Sequence, residues 1–349
     1  MPRLRRADCS TTGIRRIRRG RGFSYVDEAT GETIADPDTL ARIRALTIPP
    51  AWENVWICPW PNGHIQAVGT DARGRKQYRY HDRWREHRDR EKFDRMLDFA
   101  RALPRLRETA ARQLRHRQPT RERVLAGAVR LLDRGFFRIG GEEYAEENET
   151  YGLATIQKRH VRLGPGNVIE FDYPAKGGQR RLQSLVDPQV YELVGELKRR
   201  RGGGSDLLAY KDGGRWHDVQ SADVNAYIKR VTGGDFTAKD FRTWSATVLA
   251  AVAVAVSGRA AASPTARKRA VARAVHEVAH YLGNTPAVCR ASYIDPRVFD
   301  AYTAGVTIGD ALDALGDVDL GEPAIQGAVE AAVVDLLDGE PRSVLAEAA

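Results

Sequence analysis

Six polar residues stand in sequence contexts that suit chemistry at a phosphate ester. They are Arg138, Lys176, Lys239, Arg242, Asn284 and Tyr293. Arg138 lies in Phe-Phe-Arg-Ile-Gly, among apolar neighbours, where a guanidinium is costly to place unless something anionic meets it. Lys176 precedes two glycines at the tip of a predicted hairpin, and this position allows close approach to a backbone.

The other four residues lie in the last third of the basic region. Lys239 and Arg242 are three positions apart, so they share one face of a helix. Asn284 follows Tyr-Leu-Gly, which is a helix-stop signal, and Tyr293 comes nine residues later. Taken singly, each residue also fits an ordinary role as a surface cation, turn residue, helix cap or packed tyrosine.

Together the six residue types form a chemically complete set. Two guanidiniums and an amide donor can bind the non-bridging oxygens of a phosphodiester and the extra charge of its pentacoordinate transition state. A phenol can attack phosphorus and form a covalent ester. A lysine whose pKa is lowered by neighbouring cations can protonate the departing oxygen. Such a site needs no metal ion, because guanidinium supplies the positive charge.

Other chemistries lack their motifs in this sequence. It contains no GxxxxGK[ST], HExxH, GxSxG or EF-hand pattern, and the eight histidines are scattered. Nucleotide hydrolysis by a P-loop, metal-dependent nuclease chemistry and serine hydrolysis are therefore disfavoured. Cys9, Cys58 and Cys289 are odd in number, far apart and without CxxC spacing, so we expect neither disulfides nor a zinc site, as in a reducing cytosol.

The charge distribution points to a polyanionic partner. The chain has 55 Lys and Arg against 46 Asp and Glu, but residues 306–349 hold ten acidic side chains and one arginine. The first 305 residues therefore carry 54 basic and 36 acidic groups, a net charge of +18. Such a body favours nucleic acid over an anionic membrane. The longest apolar stretch, 248–256, is too short for a membrane span, and the arginine-rich start is not a secretory signal.

The elements that must position these residues fall into two domains, as the length of 349 residues favours. Short β-prone runs separated by turns predict a small β-rich domain over residues 22–84, and helical periodicity predicts a larger, mainly helical domain over 85–305. Residues 1–21 are expected to form a basic arm. Residues 306–349 form an acidic tail with one amphipathic helix at 324–337, which either docks on the body or stays mobile.

Finer signals place the six residues on particular elements. Two β-prone runs, 167–173 and 180–185, joined through Pro-Ala-Lys-Gly-Gly, predict a hairpin whose tip presents Lys176. Further helices are expected over the following ranges: 82–117, 119–134, 187–201, 221–231, 238–256, 264–282 and 286–293. The fold class predicted is therefore α+β in two domains.

An ordered series of motifs resembles the type IB DNA topoisomerases, in particular their compact poxvirus and bacterial branch. The resemblance runs from about residue 22 to residue 304. The amino-terminal motifs are Ile48-Pro-Pro-Ala-Trp and Gly69-Thr-Asp-Ala-Arg-Gly-Arg-Lys-Gln-Tyr-Arg-Tyr. The later motifs are Phe137-Arg-Ile-Gly with Asn148-Glu-Thr-Tyr-Gly-Leu, Lys239-Asp-Phe-Arg-Thr-Trp, and Leu282-Gly-Asn-Thr-Pro-Ala-Val-Cys-Arg-Ala-Ser-Tyr-Ile.

The resemblance implies a role for each of the six residues. Tyr293 is implied as the nucleophile that forms a 3′-phosphotyrosyl link and leaves a free 5′-hydroxyl. Lys176 is implied as the general acid, assisted by Lys239. Residues implied to bind the scissile phosphate are Arg138, Arg242 and Asn284. Those implied or expected to contact DNA elsewhere are Arg75, Lys76, Gln77, Tyr78 and Tyr144. The family's helical catalytic domain, of the kind shared with tyrosine recombinases, and its β domain clamp duplex DNA.

The expected function is relaxation of positive and negative supercoils by strand cleavage, rotation and religation, without ATP or an essential metal or cofactor. A divalent cation is expected at most to stimulate. The expected partner is double-stranded DNA held by a monomeric clamp, with no nucleotide or membrane partner, in the cytoplasm at the nucleoid. Two alternatives are open: a tyrosine recombinase, which carries His where Lys239 stands, and a DNA-binding protein without catalysis. Poxvirus members carry His where this chain has Asn284, so one interaction loses a possible cation.

Overall fold

The computed structural model describes residues 3–258, 263–316 and 323–339 and has an α+β fold. It consists of two compact units, Met1–Asp94 and Arg95–Ala349. The units divide ten residues later than the sequence analysis placed the boundary. The helical period begins at the start of helix α2, which spans Asp82–Leu114, but the first part of this helix is largely exposed.

The first unit is built on an antiparallel sheet of five strands in the order β2-β1-β3-β4-β5. The strands are β1 (Ile14–Arg19), β2 (Gly22–Asp27), β3 (Glu53–Ile57), β4 (Ile65–Thr70) and β5 (Lys76–Tyr80), and helix α1 covers Pro37–Ala45. Ile43 of α1 is buried with Ile14, Val55 and Ile57 of the sheet. This cluster is the core that the alternating β-prone runs predict.

Part of the predicted basic arm forms strand β1 of the sheet. It pairs with β2 on one side and β3 on the other, so these residues form an inner strand. Ile14 is buried in the core, while the guanidinium of Arg16 donates to the carbonyl oxygens of Pro49 and Trp52. The arginine-rich sequence did not predict this strand. One buried isoleucine holds it in the core, and backbone carbonyls accept hydrogen bonds from the partly buried Arg16.

The second unit is mainly helical. Its helices after α2 are α3 (Arg121–Gly135), α4 (Glu142–Asn148), α5 (Pro188–Arg199), α6 (Ser221–Thr232), α7 (Ala238–Gly258), α8 (Pro264–Leu282), α9 (Pro286–Ser292), α10 (Pro296–Thr303), α11 (Gly309–Leu315) and α12 (Pro323–Asp338). The antiparallel strands are β6 (Val161–Leu163), β7 (Val168–Pro174), β8 (Arg180–Val186), β9 (Ala209–Asp212) and β10 (Arg215–Asp218). The predicted β7–β8 hairpin is confirmed, and the β9–β10 hairpin was not predicted.

The N-terminal cap of α3 explains why this helix starts later than predicted, and burial distinguishes α7. Helix α3 begins after Thr120, whose side chain accepts from the backbone N–H of Arg123, so Pro119 precedes the helix instead of opening it. Helix α7 is buried along most of its length, with Phe241 and Trp244 among the largest fully buried side chains. The side chain of Arg242 therefore starts from a part of α7 that is surrounded by apolar residues.

The amphipathic helix predicted in the acidic tail is present as α12, and it docks on the second unit. Arg107 of α2 forms ion pairs with Asp133 of α3 (2.8 Å) and Glu330 of α12 (2.6 Å). Burial lowers the pKa of Arg107, but these two carboxylates outweigh it and hold the pKa above its ordinary value. Arg101 pairs with Asp338 at the end of α12. Of the two possibilities that the sequence left open for this helix, docking is the one that these ion pairs support.

Among the described residues, no helix combines the length and the apolarity that crossing a bilayer requires.

Candidate active site

The carboxyl end of α8 gathers three arginines. The carbonyl oxygens of residues 280–283 lie at the end of this helix, where backbone N–H donors run out, and Gly283 ends it in the left-handed region (φ 61°). Arg181 donates to the first two of these carbonyls, Arg242 to the third (2.9 Å) and Arg138 to the fourth (2.7 Å). Cations are favoured here because the helix dipole is negative at this end.

Arg242 is the most deeply buried of the three. Its side chain comes from the second turn of α7, the residue is 4% exposed, and a second guanidinium nitrogen donates to the carbonyl of Phe136 at 2.7 Å. Burial lowers the pKa of Arg242 to about 10, and the charge of Arg138 acts in the same direction. The group is therefore still protonated at neutral pH. Its Nε is buried, and no residue that the structure describes bonds to it.

Arg138 and Asn284 form the second part of the site. The half-buried guanidinium of Arg138 donates to the Asn284 side-chain oxygen as well as to the carbonyl of Gly283. This bond fixes the orientation of the amide, because its oxygen faces the cation and its nitrogen faces away. The amide nitrogen is buried and has no hydrogen-bond partner among the described residues. The site thus holds one N–H donor group ready for an acceptor.

Tyr293 is brought to the same place by α9. The helix is capped by Thr285, directly after Asn284, and the backbone N–H of Tyr293 bonds to Cys289 at its end (2.9 Å). The spacing of nine residues is therefore one short helix. The Tyr293 ring lies over Arg242, with 5.2 Å between the guanidinium carbon and the ring centroid. Thr247 of α7 donates to the Tyr293 carbonyl oxygen at 3.3 Å.

Four of the six predicted residues are thus brought together. Arg138 contacts Asn284, Arg242 contacts Tyr293, and the two arginines bond to neighbouring carbonyls of one turn, those of Gly283 and Leu282. Lys239 is exposed in the first turn of α7, one turn before Arg242. Lys176 is exposed at the tip of the β7–β8 hairpin, where Gly177 and Gly178 both have positive φ (82° and 73°). Within the described residues, neither ammonium forms a hydrogen bond or ion pair with the four joined residues.

Arg181 is a member of this site that the sequence analysis missed. It is half-buried, and its Nη1 would lie 3.1 Å from a Cβ placed on Gly283, compared with 3.7 Å for Nη1 of Arg138. Tyr173, opposite Arg181 in the hairpin, has a pKa raised to about 12 by burial, against the charges of the three arginines. No sequence signal separates Arg181 from Arg180; the two differ in the structure, where residue 181 is half-buried between exposed neighbours on β8.

The site is strongly cationic. In the part of the chain that the structure describes, no carboxylate pairs with Arg138, Arg181 or Arg242, and no group of three or more His, Cys, Asp or Glu side chains is arranged to hold a metal ion. Within the described residues, the three guanidiniums donate to backbone carbonyls and to the side-chain oxygens of Asn284 and Gln183. An anion that enters this site gains charge-assisted hydrogen bonds in a low-dielectric surrounding.

The DNA-contact residues predicted in the first unit lie on and beside β5. Arg75 and Gln77 both donate to a carboxylate oxygen of Asp71, at 2.8 and 2.9 Å, and these bonds lower the pKa of Asp71 to about 2. Lys76 is exposed, and its ammonium lies 5.8 Å from the centroid of the Tyr78 ring. Tyr78 is itself 39% exposed. The side chain of Tyr144, the remaining predicted contact, lies outside the described residues.

The fold and the site define a class of protein: a two-unit α+β protein in which a phenol lies against an arginine cluster that no carboxylate of the described residues neutralises. Comparison with known families makes the class specific. The family of the eukaryotic DNA topoisomerase I catalytic core matches residues 81–304, and the bacterial DNA topoisomerase IB N-terminal domain matches residues 22–71. The DNA topoisomerase 1B of Acanthamoeba polyphaga mimivirus is 33% identical over 297 residues, covering 83% of this chain and 87% of its own. The chain belongs to the type IB DNA topoisomerase family.

More distant relatives are similar over parts of the chain. The DNA topoisomerase 1 alpha of Arabidopsis thaliana is 26% identical over 161 residues, which are 46% of this chain and 16% of that protein. The DNA topoisomerase 1 of Candida albicans is 32% identical over 127 residues, 36% of this chain and 15% of its own. The predicted family, fold class and enzyme class are confirmed, and the comparisons favour the topoisomerase over both the recombinase and the non-catalytic alternative.

Proposed function

We propose that this protein relaxes supercoiled DNA through a tyrosine-linked strand break. The Tyr293 oxygen attacks a backbone phosphorus and loses its proton to solvent, and the bond from phosphorus to the 5′-oxygen breaks. The strand is held as a 3′-phosphotyrosyl ester, the free end rotates under superhelical tension, and the 5′-hydroxyl then attacks to reverse the reaction. The ester conserves the energy of the broken bond, so the cycle consumes no ATP.

The observation that carries this proposal is the arginine cluster beside Tyr293. Arg138 and Arg242 supply fixed positive charge for the two non-bridging oxygens, and the unpartnered amide nitrogen of Asn284 supplies a further donor. The transition state has more negative charge than the diester, so these groups stabilise it more than they stabilise bound DNA. The charges are already in place before substrate arrives, which avoids reorganisation during the reaction.

We assign the proton donor to Lys176, with Lys239 assisting. Both side chains are exposed, so they are suited to meet a substrate that arrives from solvent. The hairpin tip around Lys176 has two glycines, so a DNA backbone can come close to it. Protonation of the 5′-oxygen converts a poor leaving group into a hydroxyl.

The partner is double-stranded DNA, bound by a monomer in the cytoplasm at the nucleoid. The net charge of +18 over the first 305 residues supports the polyanionic partner. In the first unit, Arg75, Lys76, Gln77 and Tyr78 supply phosphate and groove contacts, and Tyr144 adds one from the second unit. We propose that no cofactor or essential metal is required, since the arginines neutralise the charge that a metal would otherwise meet.

A plasmid relaxation assay tests the proposed function. We expect the protein to relax both positively and negatively supercoiled plasmid in EDTA and without ATP, since guanidinium and phenol carry the chemistry. Quenching with detergent should trap protein on the 3′ side of a nick. A requirement for Mg²⁺ or ATP, or an adduct on the 5′ end, contradicts the proposal.

The role of Lys176 has its own test. Lys176→Ala should slow single-turnover cleavage of ordinary DNA by about 10²- to 10³-fold, because the 5′-oxygen leaves without a proton. A substrate with sulfur in the 5′-bridging position needs no proton on its leaving group, so the same variant should cleave it at close to the wild-type rate. If both substrates are slowed equally, Lys176 is not the acid.

A further inference from the structure

Arg181 lies on the face of the β7–β8 hairpin that meets the site. It pairs directly with Tyr173 across the hairpin, so both side chains point to one face, and Gln183 follows on that face two residues later. Arg180 lies on the opposite face, where it pairs with Asp172 in the same hairpin (2.6 Å). The two adjacent arginines therefore differ in their partners: Arg180 pairs within the hairpin, and Arg181 faces the site.

Arg181 and Gln183 fasten this face to two other elements. The Arg181 fork donates to the carbonyls of His280 (3.2 Å) and Tyr281, at the end of α8. Its Nε donates to the side-chain oxygen of Gln183 at 3.0 Å, and Gln183 in turn donates to the carbonyl of Gly135 at 3.0 Å. The hairpin is thus joined to the turn that carries Asn284 and to the segment that leads into Arg138.

Placing the charged side chain of Arg181 here costs free energy, so packing alone does not account for its position. Burial and the charge of Arg138 both lower the pKa of Arg181, against the opposing effect of Tyr173. No carboxylate offsets its charge within the described residues. Gly283 is also constrained by it, since a Cβ there would come within 3.1 Å of the Arg181 guanidinium. A neutral side chain would join a hairpin to a helix end without placing one cation beside another.

We propose that Arg181 is a positioning residue for the general acid: it holds the β7–β8 hairpin, and with it Lys176, in register with the phosphate-binding turn of α8. Only five positions separate the two residues, and the turn between them is closed by a 2.8 Å bond from the Ala175 N–H to the Gln179 carbonyl and a 2.9 Å bond within it. A displacement at Arg181 is therefore transmitted to the tip. This inference rests on the proposed function, since it requires Lys176 to act as the acid.

The test compares two substrates in single-turnover cleavage at saturating DNA. Arg181→Ala should slow cleavage of ordinary DNA by about 10- to 100-fold, because the ammonium is displaced from the 5′-oxygen. On the substrate with 5′-bridging sulfur, the same variant should regain a rate within about threefold of wild type, as Lys176→Ala does. The double variant Lys176→Ala/Arg181→Ala should cleave ordinary DNA no more slowly than Lys176→Ala alone, since both changes remove one function.

Two further variants separate positioning from charge and from folding. Arg181→Lys keeps the charge but not the planar fork that reaches two carbonyls and Gln183, so it should resemble Arg181→Ala on both substrates. Arg180→Ala is the matched control on the opposite face and should cleave ordinary DNA within about twofold of wild type. A loss of folding alone would slow both substrates together.

The outcomes distinguish this inference from the proposed function. Equal slowing of both substrates by Arg181→Ala, or full activity of Arg181→Lys, overturns the positioning role while Lys176 remains the acid. If Lys176→Ala itself gains nothing from the sulfur substrate, the proposed acid fails, and the inference fails with it. Additive slowing in the double variant also contradicts the inference.

Discussion

Tyr293→Phe should abolish plasmid relaxation and covalent capture of DNA, with single-turnover cleavage reduced by roughly 10⁴- to 10⁶-fold. The substitution removes only the attacking oxygen. Its ring still packs against Arg242, and the backbone bonds of Tyr293 to Cys289 and Thr247 do not involve the hydroxyl. DNA affinity should therefore stay within about threefold, measured by fluorescence anisotropy, because phosphate contacts supply most of the binding free energy.

Tyr302→Phe is the matched control for this prediction. Tyr302 lies on α10, the next helix after Tyr293, and its buried hydroxyl has no hydrogen-bond partner in the described part of the chain. Removing that hydroxyl takes away an unsatisfied polar group, so we expect unchanged relaxation and equal or greater stability. Relaxation by Tyr293→Phe at a normal rate would show that another residue is the nucleophile.

The sequence predicted closely the helices of the second unit that carry the site, and it missed one strand of the first unit. Helices α7, α8 and α9 follow from long apolar periodicity and from cap signals such as Gly283, and their predicted limits differ from the observed ones by two residues or fewer. Strand β1 was not predicted because its arginines outnumber its one buried residue, Ile14. A strand needs few buried residues when carbonyls elsewhere in the chain can accept from its arginines.

In the candidate site, the residues that sequence motifs mark were recovered, and those defined only by tertiary contact were not. Arg138, Arg242, Asn284 and Tyr293 stand in motifs, and the structure joins them. Arg181 resembles any charged residue of an alternating strand until the end of α8 is placed against it. Its role depends on a contact made 99 residues away in the chain, which no local pattern encodes.

Arg242→Ala should have the largest effect after loss of the nucleophile. It removes a fixed cation from beside the Tyr293 phenol, so cleavage should fall by about 10³-fold, as when a charge-stabilising donor is deleted from other enzymes. It also leaves the carbonyls of Phe136 and Leu282 without their donor. Each unpaired buried group costs about 1 to 3 kcal/mol, so the free energy of unfolding in urea should fall as well.

Arg200→Ala separates the chemical loss from the structural one. Arg200 is also buried, also has an unpartnered Nε, and also donates to backbone carbonyls, those of Leu197 and Leu207 at 2.9 Å. Its removal should lower stability by a similar amount and leave single-turnover cleavage, measured below the unfolding transition, within about threefold of wild type. If Arg200→Ala slows cleavage as much as Arg242→Ala does, the loss at Arg242 comes from damage to the fold, and the charge beside Tyr293 is not what stabilises the transition state.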